Sequence, residues 1–133
     1  MPALKWNEYE FIECLGVLPE KEEFFTSHYF RLVKDDLLFE MTIWQYDSCI
    51  AVSISKADDE KSFITIHFLV RDKAVFVNEK TSMKLRFQDC MIVSNRFWMS
   101  RDDDKKDYFD KSKFPTKLDI ELYTYPKIEL KFE

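Results

Sequence analysis

Hydrophobic residues in this chain follow two different spacings, and the change from one to the other comes early. Trp6, Tyr9, Ile12 and Leu15 recur every three positions, which predicts a short amphipathic helix over residues 7–15. Asn7 and Glu10 match a capping box, Gly16 stands where such a helix would end, and Pro19 blocks its continuation. A helix this short is not stable alone in water, so it must rest on an apolar surface.

Beyond the charged stretch at residues 20–23 the period becomes two, the spacing that sends alternate side chains to opposite faces of a strand. Strands are predicted over residues 25–33, 37–45, 49–55, 63–70, 74–77 and 83–87. Short apolar runs follow at 90–93 and 97–99, and a closing hairpin or bent strand covers 118–123 and 128–132. The polar breaks are Asp35-Asp36, Tyr46-Asp47-Ser48, the charged hairpin loop at 57–61, and Thr124-Tyr125-Pro126.

Leu37, Phe39, Met41 and Ile43 share one face, as do Ile50, Val52 and Ile54. Ile64, Ile66, Phe68 and Val70 form another, with Phe63, Thr65, His67 and Leu69 behind them, the mark of a central strand covered on both sides. Met83, Leu85 and Phe87 point inward, Lys84 and Arg86 outward. Residues 101–113 are almost wholly charged, with Tyr108 and Phe109 as their apolar members, and are expected to form a long exposed loop. The expected fold is mainly β (α+β): an antiparallel meander or a sandwich-like curved sheet with one short N-terminal helix, in a single domain spanning residues 1–133.

Composition narrows what such a domain can do. At 46% hydrophobic and 17% aromatic residues the chain has ample material for a core and is far from disordered sequence. Gly16 is its only glycine, which excludes the Gly-rich loops that cradle phosphates. A net charge of −5 disfavours nonspecific nucleic-acid binding, which depends on neutralising phosphates; it would favour a basic partner, and acidity that serves solubility alone is the plainer reading. Cys14, Cys49 and Cys90 are odd in number and widely separated, so they read as small buried hydrophobes rather than a disulfide framework or zinc site. The opening residues lack a signal-peptide pattern, and no apolar run approaches the roughly 20 residues that span a bilayer. A cytoplasmic protein without a membrane partner is expected.

Motifs that carry chemistry are sparse in this chain. There is no Gly-x-Ser-x-Gly turn, and His28 and His67 read as structural histidines, His67 hydrogen-bonded on the more polar face of its strand. Asp102, Asp103 and Asp104 are consecutive but lack the alternating ligands, glycine and closing glutamate of a calcium loop. The aromatic residues sit at core positions of strands rather than in a nucleic-acid stacking platform. No catalytic residue, metal or cofactor is assigned, and the chain is not expected to be an enzyme. What remains is an acidic β scaffold with charged loops at 20–23, 58–60 and 102–110, a surface suited to binding. The candidate partner-binding residues are Asp58, Asp59, Glu60, Asp102, Asp103, Asp104, Tyr108 and Phe109. The two rings have the composition of a contact patch, and they equally fit rings folded back over the core.

The segment Met41-Thr42-Ile43-Trp44-Gln45-Tyr46-Asp47, followed by the alternating strand at 49–55, resembles a pattern in small bacterial immunity proteins of polymorphic and contact-dependent toxin systems. The closing Tyr-Pro-Lys-Ile-Glu-Leu within residues 118–132 is similar in placement to their final strand, and Leu15-Gly16 with Pro19 adds to the likeness. The chain departs from them in lacking glycines in its middle hairpins. The resemblance implies a cytoplasmic immunity protein that binds and occludes a cognate toxin, with nucleases, whose clefts are basic, among the toxins its acidity would suit. Two alternatives stay open: a secretion chaperone-like binding protein, and a small-ligand carrier or enzyme with its pocket inside the curved sheet near His67 or Tyr46. A broad acidic face would favour protein binding, and an enclosed polar cavity would favour the ligand reading.

Overall fold

Two antiparallel sheets, a capped N-terminal helix and a second, shorter helix make up the fold in a computed structural model, which describes residues 3–58, 62–99, 101–115 and 117–133. The helix α1 (Glu8–Leu15) begins where Asn7 accepts the backbone N–H groups of Tyr9 at 2.9 Å and Glu10 at 3.4 Å. It ends at Gly16, whose φ of 73° is the left-handed cap and whose N–H donates to the Ile12 carbonyl at 2.8 Å. Its buried face carries Phe11, Cys14 and Leu15, while Tyr9 points to solvent. Of the expected face of Trp6, Tyr9, Ile12 and Leu15, Leu15 is buried and Trp6 and Ile12 pack against the core, whereas Tyr9 is corrected to the solvent side. Steps of three residues drift by about 60° each, so four of them cannot share one side, whereas 11, 14 and 15 can.

The larger sheet runs in the order β1 (Glu20–Lys21), β2 (His28–Lys34), β3 (Leu37–Trp44), β4 (Cys49–Lys56), β5 (Ser62–Val70) and β8 (Cys90–Val93). The smaller has the order β10 (Glu129–Phe132), β9 (Ile120–Tyr125), β7 (Met83–Phe87), β6 (Ala74–Asn78). The chain builds a meander to β5, forms the β6–β7 hairpin in the second sheet, and returns as β8 to pair with β5. It then crosses again to close as β9–β10, with β9 beside β7.

Two expectations change. The first long strand starts at His28 rather than residue 25, because β1 pairs back on it (Glu20↔Tyr29, Lys21↔His28) and the intervening chain makes a 3-10 turn with Phe24 at φ 63°. Residues 101–113 are not wholly loop: α2 (Asp102–Asp107) forms there, followed by turns. Its helical spacing brings Lys105, Tyr108 and Phe109 to one side, where Lys105 is buried and both rings pack on the cluster of Cys49, Leu69 and Phe97.

A chain with one glycine still needs backbone positions that favour glycine, and acidic residues fill most of them. Asp35 (φ 51°) and Asp36 (φ 63°) form the β2–β3 turn with two consecutive positive φ values, as a type I′ hairpin requires. Ser48 (φ 48°) and Asp89 (φ 56°) serve other turns. Short polar side chains tolerate this region better than most others.

The core lies between the sheets. Phe30, Phe39, Met41, Ile43, Ile50, Val52 and Phe68 come from the larger, Leu85, Phe87, Ile120 and Leu122 from the smaller. Phe87 meets Phe68 edge-on at 5.2 Å and Phe11 of α1 at 6.0 Å, joining all three elements. The segment before α1 ties the sheets together, since Leu4 N–H donates to Gln45 O at 2.7 Å and Ala74 N–H to Lys5 O at 2.9 Å. Cys14, Cys49 and Cys90 are free and buried. Phe87→Ala should lower stability by about 3–5 kcal/mol, read as a fall in urea midpoint at unchanged slope.

Candidate partner-binding face

With one face of the larger sheet committed to the core, the other is set by alternation. Outward positions are Tyr29, Arg31 and Val33 on β2, Leu38, Glu40, Thr42 and Trp44 on β3, Cys49, Ala51 and Ser53 on β4, and Thr65 and His67 on β5. Arg31 lies opposite Glu40 in register, and Tyr29 Oη donates to the Glu40 carboxylate. Burial and that bond push the Tyr29 phenol up to about 12.

The dominant side chain here is Trp44. It sits on β3 and His67 on β5, two strands away and roughly 10 Å across the sheet, yet their rings stack at 6.5 Å with an interplanar angle of 18°. The intervening positions on β4 are the small Cys49 and Ala51, which lets the two rings lean together above them. Burial lowers the pKa of His67 below 6.5, so the imidazole is neutral at physiological pH. Among the described residues the contact made by the His67 ring is this stack rather than the expected hydrogen bond.

Trp44 borders two clefts. One, of about 160 Å³, is lined by Trp44, Asp47, Cys49, His67, Asn95 and Phe97. The other, of about 440 Å³, lies on the β1 side, lined by Glu20, Glu22, Tyr29, Thr42 and Trp44 among others. Glu20, Glu22 and Asp47 make no ion pair among the described residues, whereas Lys21 between the first two is held by Glu8 at 2.7 Å. Phe24, in the same β1–β2 connection, is 78% exposed in its left-handed conformation.

The residues singled out by sequence are distributed differently. Asp58 is exposed at the β4–β5 turn, and Asp59 and Glu60 lie outside the described residues. Asp102, Asp103 and Asp104 open α2, where Asp104 meets Arg101 at 3.8 Å. Tyr108 and Phe109 are half-buried against the cluster that also receives Trp44. Asp58 and α2 are thus at opposite ends of β4 and β5, a separation of about 25 Å at the usual rise per residue. Trp44, Asp47 and Glu20 were not assigned a site by sequence. The signal was available: Leu37, Phe39, Met41 and Ile43 point inward, so Trp44, one position later, must face out.

Other constellations are structural. Glu121, 1% exposed, is held by Lys84 at 2.5 Å and Arg86 at 3.1 Å. Arg86 also binds Asp119 at 2.7 Å, Asp119 accepts the Asp89 N–H at 2.9 Å, and Asp89 pairs with Arg71 at 2.8 Å and Lys111 at 2.9 Å. Burial pushes the carboxyls of Asp89 and Glu121 up, but these cations more than offset it and hold both below the usual range. Burial likewise raises the thiols, Cys14 to about 11 and Cys49 and Cys90 to about 12, leaving them unreactive. Among the described residues no group of three or more His, Cys, Asp or Glu is placed to hold a metal, and no helix is long and apolar enough to cross a membrane.

Two open antiparallel sheets with a helix closing one end form an architecture also seen in contact-dependent toxin systems. The chain is similar in fold to a chain of the contact-dependent growth inhibition toxin–immunity protein complex from Klebsiella pneumoniae 342, with a TM-score of 0.71, covering 100% of this chain and 98% of that one. Sequence identity is 12%, so the likeness is one of fold. No family model and no curated protein matches the chain.

The Trp44–His67 stack has a measurable pH signature. His67 binds fewer protons folded than unfolded, so its contribution to stability is complete above pH 6.5 and is lost as pH falls from there through the folded value. An NMR titration should place its midpoint below 6.5, and His67→Gln should flatten that part of the stability profile.

Proposed function

We propose that this protein is an immunity protein: a non-enzymatic, cytoplasmic inhibitor that binds a cognate bacterial toxin domain and occludes it stoichiometrically. The observation that carries the reading is the full-length fold likeness to a chain from a toxin–immunity protein complex. It accords with the resemblance in residues 41–55 and 118–132. Of the two roles in such a complex, that of inhibitor suits this chain better. Its thiols are held protonated, its buried carboxylates are ionised and paired, and its net charge of −5 suits a basic partner such as a nuclease.

The alternatives have less support. A small-ligand carrier would need a pocket of roughly 300–1,000 Å³ enclosing its ligand; the cleft beside His67 holds about 160 Å³, and the larger one of about 440 Å³ on the β1 side is a groove open to solvent rather than an enclosure. Tyr46 is exposed on a turn. A secretion chaperone would be expected to carry more helix than the two short ones here.

In this reading residues 1–133 act as one unit, and Asp58, Asp59, Glu60, Asp102, Asp103 and Asp104 belong to the acidic surface that steers the toxin, with Tyr108 and Phe109 contributing contact area. Co-expression with the toxin encoded beside it should restore growth, and affinity capture should recover a one-to-one complex. Growth arrest despite equal expression of both proteins would overturn the proposal. Replacing Asp102, Asp103 and Asp104 together by Asn should slow association by about tenfold at low salt and flatten its salt dependence, with little effect on dissociation. Stopped-flow mixing at two ionic strengths measures this.

A further inference from the structure

The outer face of the larger sheet combines a large, half-buried aromatic ring, clefts on both sides of it, and carboxylates around it that form no ion pair among the described residues. We propose that the Trp44 ridge, with Glu20 and Glu22 on one side and Asp47 on the other, is the seat for an arginine-bearing segment of a basic protein partner. The identification of that partner as the toxin rests on the function proposed above, whereas the chemistry of the seat does not.

Charge and shape both select arginine. The cleft beside Asp47 has room for one long side chain, at about 160 Å³, and its walls are aromatic and carboxylate. A guanidinium is planar and weakly hydrated, so it can lie against an indole face while forking two N–H groups onto a carboxylate. Lysine offers a compact charge that does neither as well. Of the nearby cations, Lys21 is engaged by Glu8 at 2.7 Å, whereas Lys105 lies over the Phe97 ring at 5.7 Å and sets a positive charge at the edge of the Asp47 cleft, which leaves the Glu20 and Glu22 side as the more strongly negative half of the seat. His67, stacked on Trp44, is neutral at physiological pH.

The seat is also built to be rigid. Trp44 and His67 project from adjacent parts of one hydrogen-bonded sheet, and Phe97, Tyr108 and Phe109 pack behind them around Cys49 and Leu69. Little side-chain freedom remains to be lost on binding, a condition that favours a binding hot spot.

The test uses the full chain and two defined probes, an arginine–glycine repeat peptide and the same peptide with glutamate for arginine. At low salt the arginine peptide should shift the Trp44 indole N–H resonance saturably, and the glutamate peptide should not. Glu20→Gln, Glu22→Gln and Asp47→Asn together should weaken the arginine peptide by about tenfold or more; the first two are exposed, so the fold is expected to persist. A Trp44 resonance that stays still while other residues shift, or unchanged affinity in the triple variant, would overturn the proposal.

The second arm separates it from the function. If the wild-type chain protects cells from a toxin and Trp44→Ala, folded by circular dichroism, binds that toxin with unchanged Kd, this seat is wrong and the immunity reading stands. If no toxin is bound or neutralised but the arginine peptide engages Trp44 as described, the seat stands and the immunity reading falls.

Discussion

The ring of Phe87 marks the point on which the architecture depends, because three surfaces that are each apolar on one side only must be buried there at once. It touches Phe68 from the larger sheet and Phe11 from the helix, and it belongs to β7, which joins the two hairpins of the smaller sheet. Most strand pairings link neighbours along the chain, which local turns can set by themselves. The two that do not, β5 with β8 and β7 with β9, fix how the sheets face each other. Phe68 and Phe87 lie on strands of those two pairings, so core packing and topology are settled by the same contacts. The helix is too short to persist unaided and is held by the same rings.

Period-two alternation revealed β3 almost to the residue, along with the inward faces of β3, β4, β5 and β7, because burial on one side imposes that pattern directly on sequence. It failed where the backbone turns without a compositional cue. Phe24 adopts a left-handed conformation that no propensity would assign to phenylalanine, so the turn is not foreseeable: the expected strand begins at residue 25, ahead of β2, and β1 reads only as a charged stretch. The charged segment at 101–113 concealed α2 because its buried side holds a lysine beside two aromatic rings, and helical periodicity in apolar residues alone does not register that. The candidate site was legible in parts. The outward register of Trp44 followed from β3, but its stacking on His67 across an intervening strand is a tertiary fact with no local signature.

The shortage of glycine fits the same economy of design. Turns that would ordinarily use glycine use Asp35, Asp36 and Asp89 instead, and each such turn adds a negative charge at the sheet's margins. Asp89 is neutralised by Arg71 and Lys111 where the chain crosses between sheets. Asp35 and Asp36 form no ion pair among the described residues and add to the acidic surface. Part of the negative charge that favours a basic partner therefore arises from how the hairpins are closed.

These two uses of charge separate structure from recognition. At the smaller sheet and its margin, Glu121, Asp119 and Asp89 are matched by Lys84, Arg86, Arg71 and Lys111, so each of these buried carboxylates has a cation within 3.1 Å. Such groups hold the fold and have no capacity left for a partner. Around Trp44, Glu20, Glu22 and Asp47 form no ion pair among the described residues, and the aromatic ring beside them is on a strand whose other face is locked in the core. Unmatched charge on a rigid support is inexpensive while it is solvated and becomes an interaction when a cation arrives. The outer face of the larger sheet is where these conditions coincide, and for that reason it is the part of the molecule with most to gain from a partner.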